Sequence, residues 1–274
     1  MRISEIVMKV LNKLISEEDL KRLSEMNKDE DGEQKEIPIP KSIPREIENP
    51  VIGDLYGDDE SSENDDYLVL GSYTPMRSPG VITFYIDNIT NYTGSLIRKI
   101  VKAGNIFNLD LLVNITSYVV ENTLLHESFH YYCDYKRQIT GSKFDRDKEE
   151  ALAVAHSYLN IDNSKYSRIR SSSMMTDYHQ FEREFNNKYN IRMFKDISRH
   201  KYLEAFKLHH FSTYTLAGYR DWKLYVGNNS YETDFFNYVK DAKLDSLLRN
   251  GVNVNDIHNE TMIIGYKGVD IRIK

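Results

Sequence analysis

The feature that most constrains this chain is the stretch from Asp110 to Arg137, where apolar side chains recur with helical period around the sequence HESFH. Val119, Val120, Leu124 and Leu125 place His126, Glu127 and His130 in the apolar part of that helix. A helix of this kind must be covered by other elements, and ionisable groups carried into the interior need partners there. The 274 residues of the chain are enough to bury it in a core of ordinary size. His126 and His130 are four residues apart, slightly more than one helical turn, so both imidazoles leave the same face.

Two imidazoles on one face, with a carboxylate one position round, suit a divalent metal, and neutral imidazole suits zinc. Glu127 is placed to reach a water on the metal instead of the metal itself. Zinc lowers the pKa of such a water towards 7, and a neighbouring carboxylate can take its proton as it attacks a polarised carbonyl. With eight histidines in the chain, about 0.02 accidental H-E-x-x-H matches are expected, so chance is a poor explanation. The competing reading is a helical regulatory or interaction protein in which the two histidines are structural.

A catalytic zinc site usually takes three protein ligands and keeps a fourth position open. The stretch DRDKEEALAVAHSYL predicts a second helix over about 147–159, and a loop containing Gly141 and Ser142 lets it return against the first. Glu150, twenty residues beyond His130, is the preferred third ligand, with Glu149 and His156 as alternatives. Asp147 and Glu150 also fit a D-x-x-E capping box, which would give Glu150 a purely structural role. Cys133 lies three residues past His130 on the same helix, but a lone cysteine there reads first as a small buried hydrophobe.

His126, Glu127 and His130, followed by a glutamate on the next helix, resemble the zincin metallopeptidases. The pattern is more narrowly similar to the gluzincin type, and its layout resembles that of minigluzincins and of phage-repressor-cleaving immunity peptidases. The resemblance covers about residues 67–160. It implies zinc as cofactor, Glu127 as general base, a peptide or protein substrate, and a sheet before the motif helix whose edge strand pairs with extended substrate. The run Gly80–Ile86 stands where that edge is expected. Two positions differ from many such proteins: Phe129 replaces a small residue before the second histidine, and Ala153-Val154 replaces an Ala-Asp or Ala-Asn pair. That acidic residue supports a zinc-binding histidine from behind, so its role must fall elsewhere or be lost.

The remaining sequence predicts an α+β fold: a small antiparallel sheet packed on the HExxH helix, then a mainly helical C-terminal subdomain, with a cleft between them. Residues 1–26 have the apolar spacing of an amphipathic helix, a candidate docking element for a protein partner. Residues 27–66 are rich in Asp, Glu, Ser and Pro and read as a disordered acidic linker. YLVLGSY at 67–73 and VITFYIDNI at 81–89 read as strands of a catalytic core over 67–160. In 161–274, helices are expected at about 173–189, 196–224 and 231–249, with a closing hairpin around Lys267-Gly268. His200, His209, His210, Tyr214 and Tyr219 cluster on one of these helices and could reach the cleft, whereas Tyr131 and Tyr132 read as packing residues.

The net charge of −6 argues against a nucleic-acid partner. The basic run around Lys165–Arg170 reads as a solvated loop. No signal peptide and no membrane-spanning run is evident. A single cysteine fits a reducing cytoplasm and leaves nothing for a thiolate-rich site.

Overall fold

The computed structural model describes residues 3–26, 38–53, 67–74, 80–140, 145–161, 196–227 and 269–273. Among these the chain is mostly helical with a small sheet, a coarse α+β arrangement. The centre is α4 (Leu109–Thr140), which packs against α1 (Ile3–Leu14), α3 (Ile86–Lys102), α5 (Arg146–Asn160) and α6 (Asp196–His210). Its residues from Leu111 to Val120 are all buried, as expected of a helix surrounded on every side. None of the helices described is long and apolar enough to cross a membrane.

The N-terminal region departs from the expected single tethered helix. Ile6, Val7, Val10, Leu11 and Leu14 are at most 1% exposed, because α3 and α4 cover the apolar stripe of α1. The stripe packs inside the fold. Ser16 breaks the helix in two: its hydroxyl accepts from the Asp19 amide at 3.1 Å and caps α2 (Glu17–Met26).

Residues 38–53 likewise correct the expected disordered linker. Arg98 on α3 donates to the Pro44 and Ile43 carbonyls, both at 2.6 Å, and the Ile47 amide donates to Ser95 Oγ at 2.8 Å. Gly94 permits this approach, since a Cβ there would lie 2.5 Å from Pro44 Cδ. Ile43 is buried as a result. The segment ends in β1 (Val51–Ile52), which pairs in parallel with β2 (Tyr67–Leu68). The rest of the expected linker, 27–37 and 54–66, lies outside the described residues.

The main sheet has the order β3 (Gly71–Thr74), β4 (Gly80–Phe84), β5 (Val269–Ile273). Strands β3 and β4 are antiparallel, with Gly71 opposite Phe84, and β5 joins β4 in parallel, with Phe84 opposite Ile273. The sheet is therefore mixed, not wholly antiparallel. Strand β4 lies between β3 and β5, so the run from Gly80 is not the edge that the resemblance implied; among the described strands β3 and β5 are the edges. The strand expected over 81–89 stops at Phe84, because Ile86 already opens α3 and its side chain and that of Ile89 enter the helical core. Of the expected closing hairpin only β5 is described, and its partner is β4. The helices expected near 173–189 and 231–249, and the run Lys165–Arg170, lie outside the described residues. The long helix expected over 196–224 ends at His210 and continues as two short 3₁₀ segments, Phe211–Thr213 and Tyr219–Tyr225.

Candidate metal centre

Helix α4 brings His126 (6% exposed), Glu127 (2%) and His130 (4%) to one buried face, and α5 packs against it carrying Glu150 (4%). His126 Nε2 and His130 Nε2 are 3.2 Å apart, and Glu150 Oε2 lies 3.3 Å from each. Three lone-pair donors thus form a nearly equilateral triangle. Zinc–ligand bonds of about 2.0–2.1 Å at tetrahedral angles require ligand atoms about 3.3–3.4 Å apart. The three side chains already have the spacing of a shared ion, and this group could hold one.

Local sequence explains why Glu150 is available. The N-cap of α5 is Asp145, whose carboxylate accepts from the Asp147 amide at 3.1 Å. The capping box read from Asp147 and Glu150 is not used, so the Glu150 carboxylate turns inward. Its neighbour Glu149 does something different, since its Oε1 accepts from His130 Nδ1 at 2.9 Å. This fixes the tautomer, with the proton on Nδ1 and the Nε2 lone pair directed to the triangle. Adjacent glutamates on one helix therefore grip the two nitrogens of the same ring. Glu149 supplies from α5 the support that Ala153 and Val154, both buried in the core, do not provide.

The electrostatics point the same way. Burial pulls the His130 imidazole down, but the charge of Glu150, hydrogen bonds to Glu149 and Glu150 and the charge of Glu127 outweigh it and hold it well above its ordinary value. Burial likewise raises Glu150, yet the two histidines bring it well below the usual carboxylate range. A pocket with three buried carboxylates and two imidazoles is short of positive charge, and a field that retains a proton on His130 attracts a cation. His126 Nδ1 has no hydrogen-bond partner among the described residues. Its ring instead stacks on Tyr219, with centroids 5.9 Å apart and planes 7° from parallel.

The other candidates fall away from the triangle. His156 is buried against Phe129, with ring centroids 5.5 Å apart, and its Nδ1 meets Asn160 Nδ2 at 3.0 Å. Phe129 thus fills space beside His156. Cys133 is buried in the core and is not among the grouped ligand atoms. His200 lies on α6, and His209 on the same helix is only partly buried. Nothing is described of the side chains of Tyr131 and Tyr132.

A small cleft opens beside the triangle. Ile52, Gly53, Leu70 and Gly71 form one wall, Tyr214 and Tyr219 the other, and Asn122, Thr123, His126 and Glu127 of α4 the floor. Gly71 lets the edge strand lie directly on α4: a Cβ there would come 2.6 Å from Thr123 Cγ2 and 3.2 Å from Glu127 Oε1. Gly218, at φ +80°, makes the corresponding approach from the other side, since a Cβ would lie 3.0 Å from the Asp147 Cα. That turn delivers Tyr219 onto His126.

The chain matches no known protein family, no characterised protein and no solved structure.

Sequence reasoning singled out His126, Glu127, His130 and Glu150, which come together, and named Tyr214 and Tyr219, which reach the cleft. It missed Asn122 and the supporting role of Glu149. The position of Asn122, four residues before His126, was the available signal.

Proposed function

We propose that this protein is a zinc-dependent hydrolase that cleaves a peptide bond. The observation that carries the reading is the buried triangle of His126 Nε2, His130 Nε2 and Glu150 Oε2, with sides of 3.2 to 3.3 Å, beside a cleft that His126 and Glu127 line. Nitrogen and carboxylate donors in these numbers fit zinc, and three ligands leave a position open. A zinc ion bound there supplies Lewis acidity and makes water nucleophilic near neutral pH.

The chain's own groups do the rest. Glu127 shares the face of the ligands without being one of them, and its carboxylate reaches the cleft. It takes the proton of the attacking water and returns it to the leaving amine nitrogen, so no proton passes through bulk solvent. Gly71 keeps that carboxylate clear of a side chain from β3. The edge of β3, not β4, is positioned to lie along an extended peptide. Glu149 and Tyr219 hold the two imidazole rings in place.

The test is hydrolysis of a mixed peptide library by the zinc-loaded protein, read by mass spectrometry. Glu127→Gln keeps the side-chain shape and should retain zinc while losing about 10²- to 10⁴-fold in rate. Cleavage by the variant at the wild-type rate would refute the mechanism.

A further inference from the structure

We propose that Asn122 is a substrate-binding residue, whose side-chain amide oxygen accepts the backbone N–H of a peptide lying in the cleft. The assignment rests on the hydrolase reading above and adds the group that recognises the substrate backbone.

Asn122 stands one turn before His126 on α4 and lines the cleft beside it. It is 1% exposed, and its Oδ1 has no hydrogen-bond partner among the described residues. Leaving a buried acceptor unmet costs about 1–3 kcal/mol, and buried polar groups are nearly always satisfied. An unmet acceptor in the floor of a cleft, next to a metal-spaced triangle, is a group prepared for a ligand.

Its orientation is fixed from behind. Asn122 Nδ2 donates to the Tyr214 hydroxyl at 3.2 Å, and that oxygen is 3.3 Å from His210 Nε2. His210 Nδ1 is in turn 2.7 Å from the Tyr92 hydroxyl. Burial, with a smaller contribution from the charge of His126, pushes His210 down to about 3, so the imidazole stays neutral and the chain of bonds does not rearrange near neutral pH. The four side chains come from α3, α4, the end of α6 and the turn after it, and all are buried. With Nδ2 committed to Tyr214, the amide offers the cleft an acceptor.

The chemistry of the walls selects the ligand. Apart from His126 and Glu127 of the metal centre, the cleft is lined by uncharged groups, among them Ile52, Leu70, Thr123 and Tyr219, which suit a neutral donor to the oxygen of Asn122. A secondary amide N–H is the donor that a peptide brings to every residue. The geometry therefore assigns Asn122 to backbone recognition, with uncharged side chains favoured beside the reacting bond.

The test uses zinc-loaded protein and three probes in calorimetric titrations: acetohydroxamate, an uncharged N-acetyl dipeptide hydroxamate, and the same dipeptide N-methylated at its internal amide. The wild type should prefer the N–H dipeptide over its N-methyl form by about 3- to 10-fold, the worth of one neutral hydrogen bond. Asn122→Leu should bind the two dipeptides equally and acetohydroxamate as the wild type does. Should Asn122→Leu fail to fold, Tyr214→Phe, which removes the anchoring hydroxyl, should shrink the preference. A preference absent in the wild type, or undiminished in the variant tested, overturns the assignment. A wild type that binds none of the three probes overturns the metal-centre reading, and this assignment with it.

Discussion

Replacing Glu149 by leucine should weaken zinc binding by about 10- to 100-fold without touching a ligand. The magnitude follows from one contact. The Glu149 carboxylate accepts from His130 Nδ1 at 2.9 Å, and the two side chains are only 10% and 5% exposed, so water does not replace the bond when it is lost. A hydrogen bond to a charged group contributes about 1.5–3 kcal/mol. At about 1.4 kcal/mol per tenfold this is about 10- to 150-fold in affinity, in agreement with the effect expected of a carboxylate behind a ligating imidazole. Leucine fills similar space but leaves the His130 N–H buried and unpaired, free to swap tautomer and turn its lone pair away from the triangle. Glutamine retains an oxygen that can accept the N–H, so Glu149→Gln should fall between leucine and wild type. The assay is competition for zinc against a chromophoric chelator, with the visible spectrum of the cobalt-substituted protein reporting ligand geometry. Sequence spacing offered Glu149 only as an alternative ligand, and the hydrogen bond to His130 gives it a supporting role instead. A zinc affinity for Glu149→Leu within twofold of wild type, with an unchanged cobalt spectrum, would refute the reasoning.

Gly71→Ala places a methyl 2.6 Å from Thr123 Cγ2 and 3.2 Å from Glu127 Oε1. We expect a loss of about 1–3 kcal/mol in stability, with full zinc binding and much reduced hydrolysis as Glu127 is displaced; wild-type activity would show that β3 retreats freely. Acid should destabilise the fold through two buried histidines, since burial first, and the charge of His126 second, push His156 and His210 down to about 3 from 6.5. The unfolded chain binds more protons between those values, so stability falls as pH drops below about 6.5, by about 1.4 kcal/mol per pH unit for each group, and these histidines contribute no slope above it. Urea unfolding at pH 7, 6 and 5 measures this, and His210→Gln should reduce the slope; identical slopes would contradict it.

The metal group was legible because it depends on local geometry. Helical period alone puts His126 and His130 on one face, and Glu150 is close enough in sequence for α5 to return it. What was not legible depends on tertiary choices. Glu149 and Glu150 are adjacent and chemically alike, and only the packing of α5 on α4 decides which reaches Nδ1 and which the triangle. The capping alternative for Glu150 was settled by Asp145, two residues before the expected start of the box. In 38–53 the polar composition concealed Ile39, Ile43 and Ile47, which pack on the core from a segment without helical period. The parallel pairing of β5 with β4 joins residues far apart in the chain, which no local pattern encodes. Tyr219 reaches His126 through the positive φ of Gly218, a backbone choice that the sequence permits without announcing.

The central claim is that His126, His130 and Glu150 hold one zinc ion. The most direct measurement is elemental analysis of protein purified without added metal, for the wild type and for Glu150→Ala. The account predicts close to one zinc per chain in the wild type and a large loss in Glu150→Ala, with helical content unchanged by circular dichroism. A wild type without metal that also fails to take up added zinc, or a Glu150→Ala variant that retains its full complement, would contradict it.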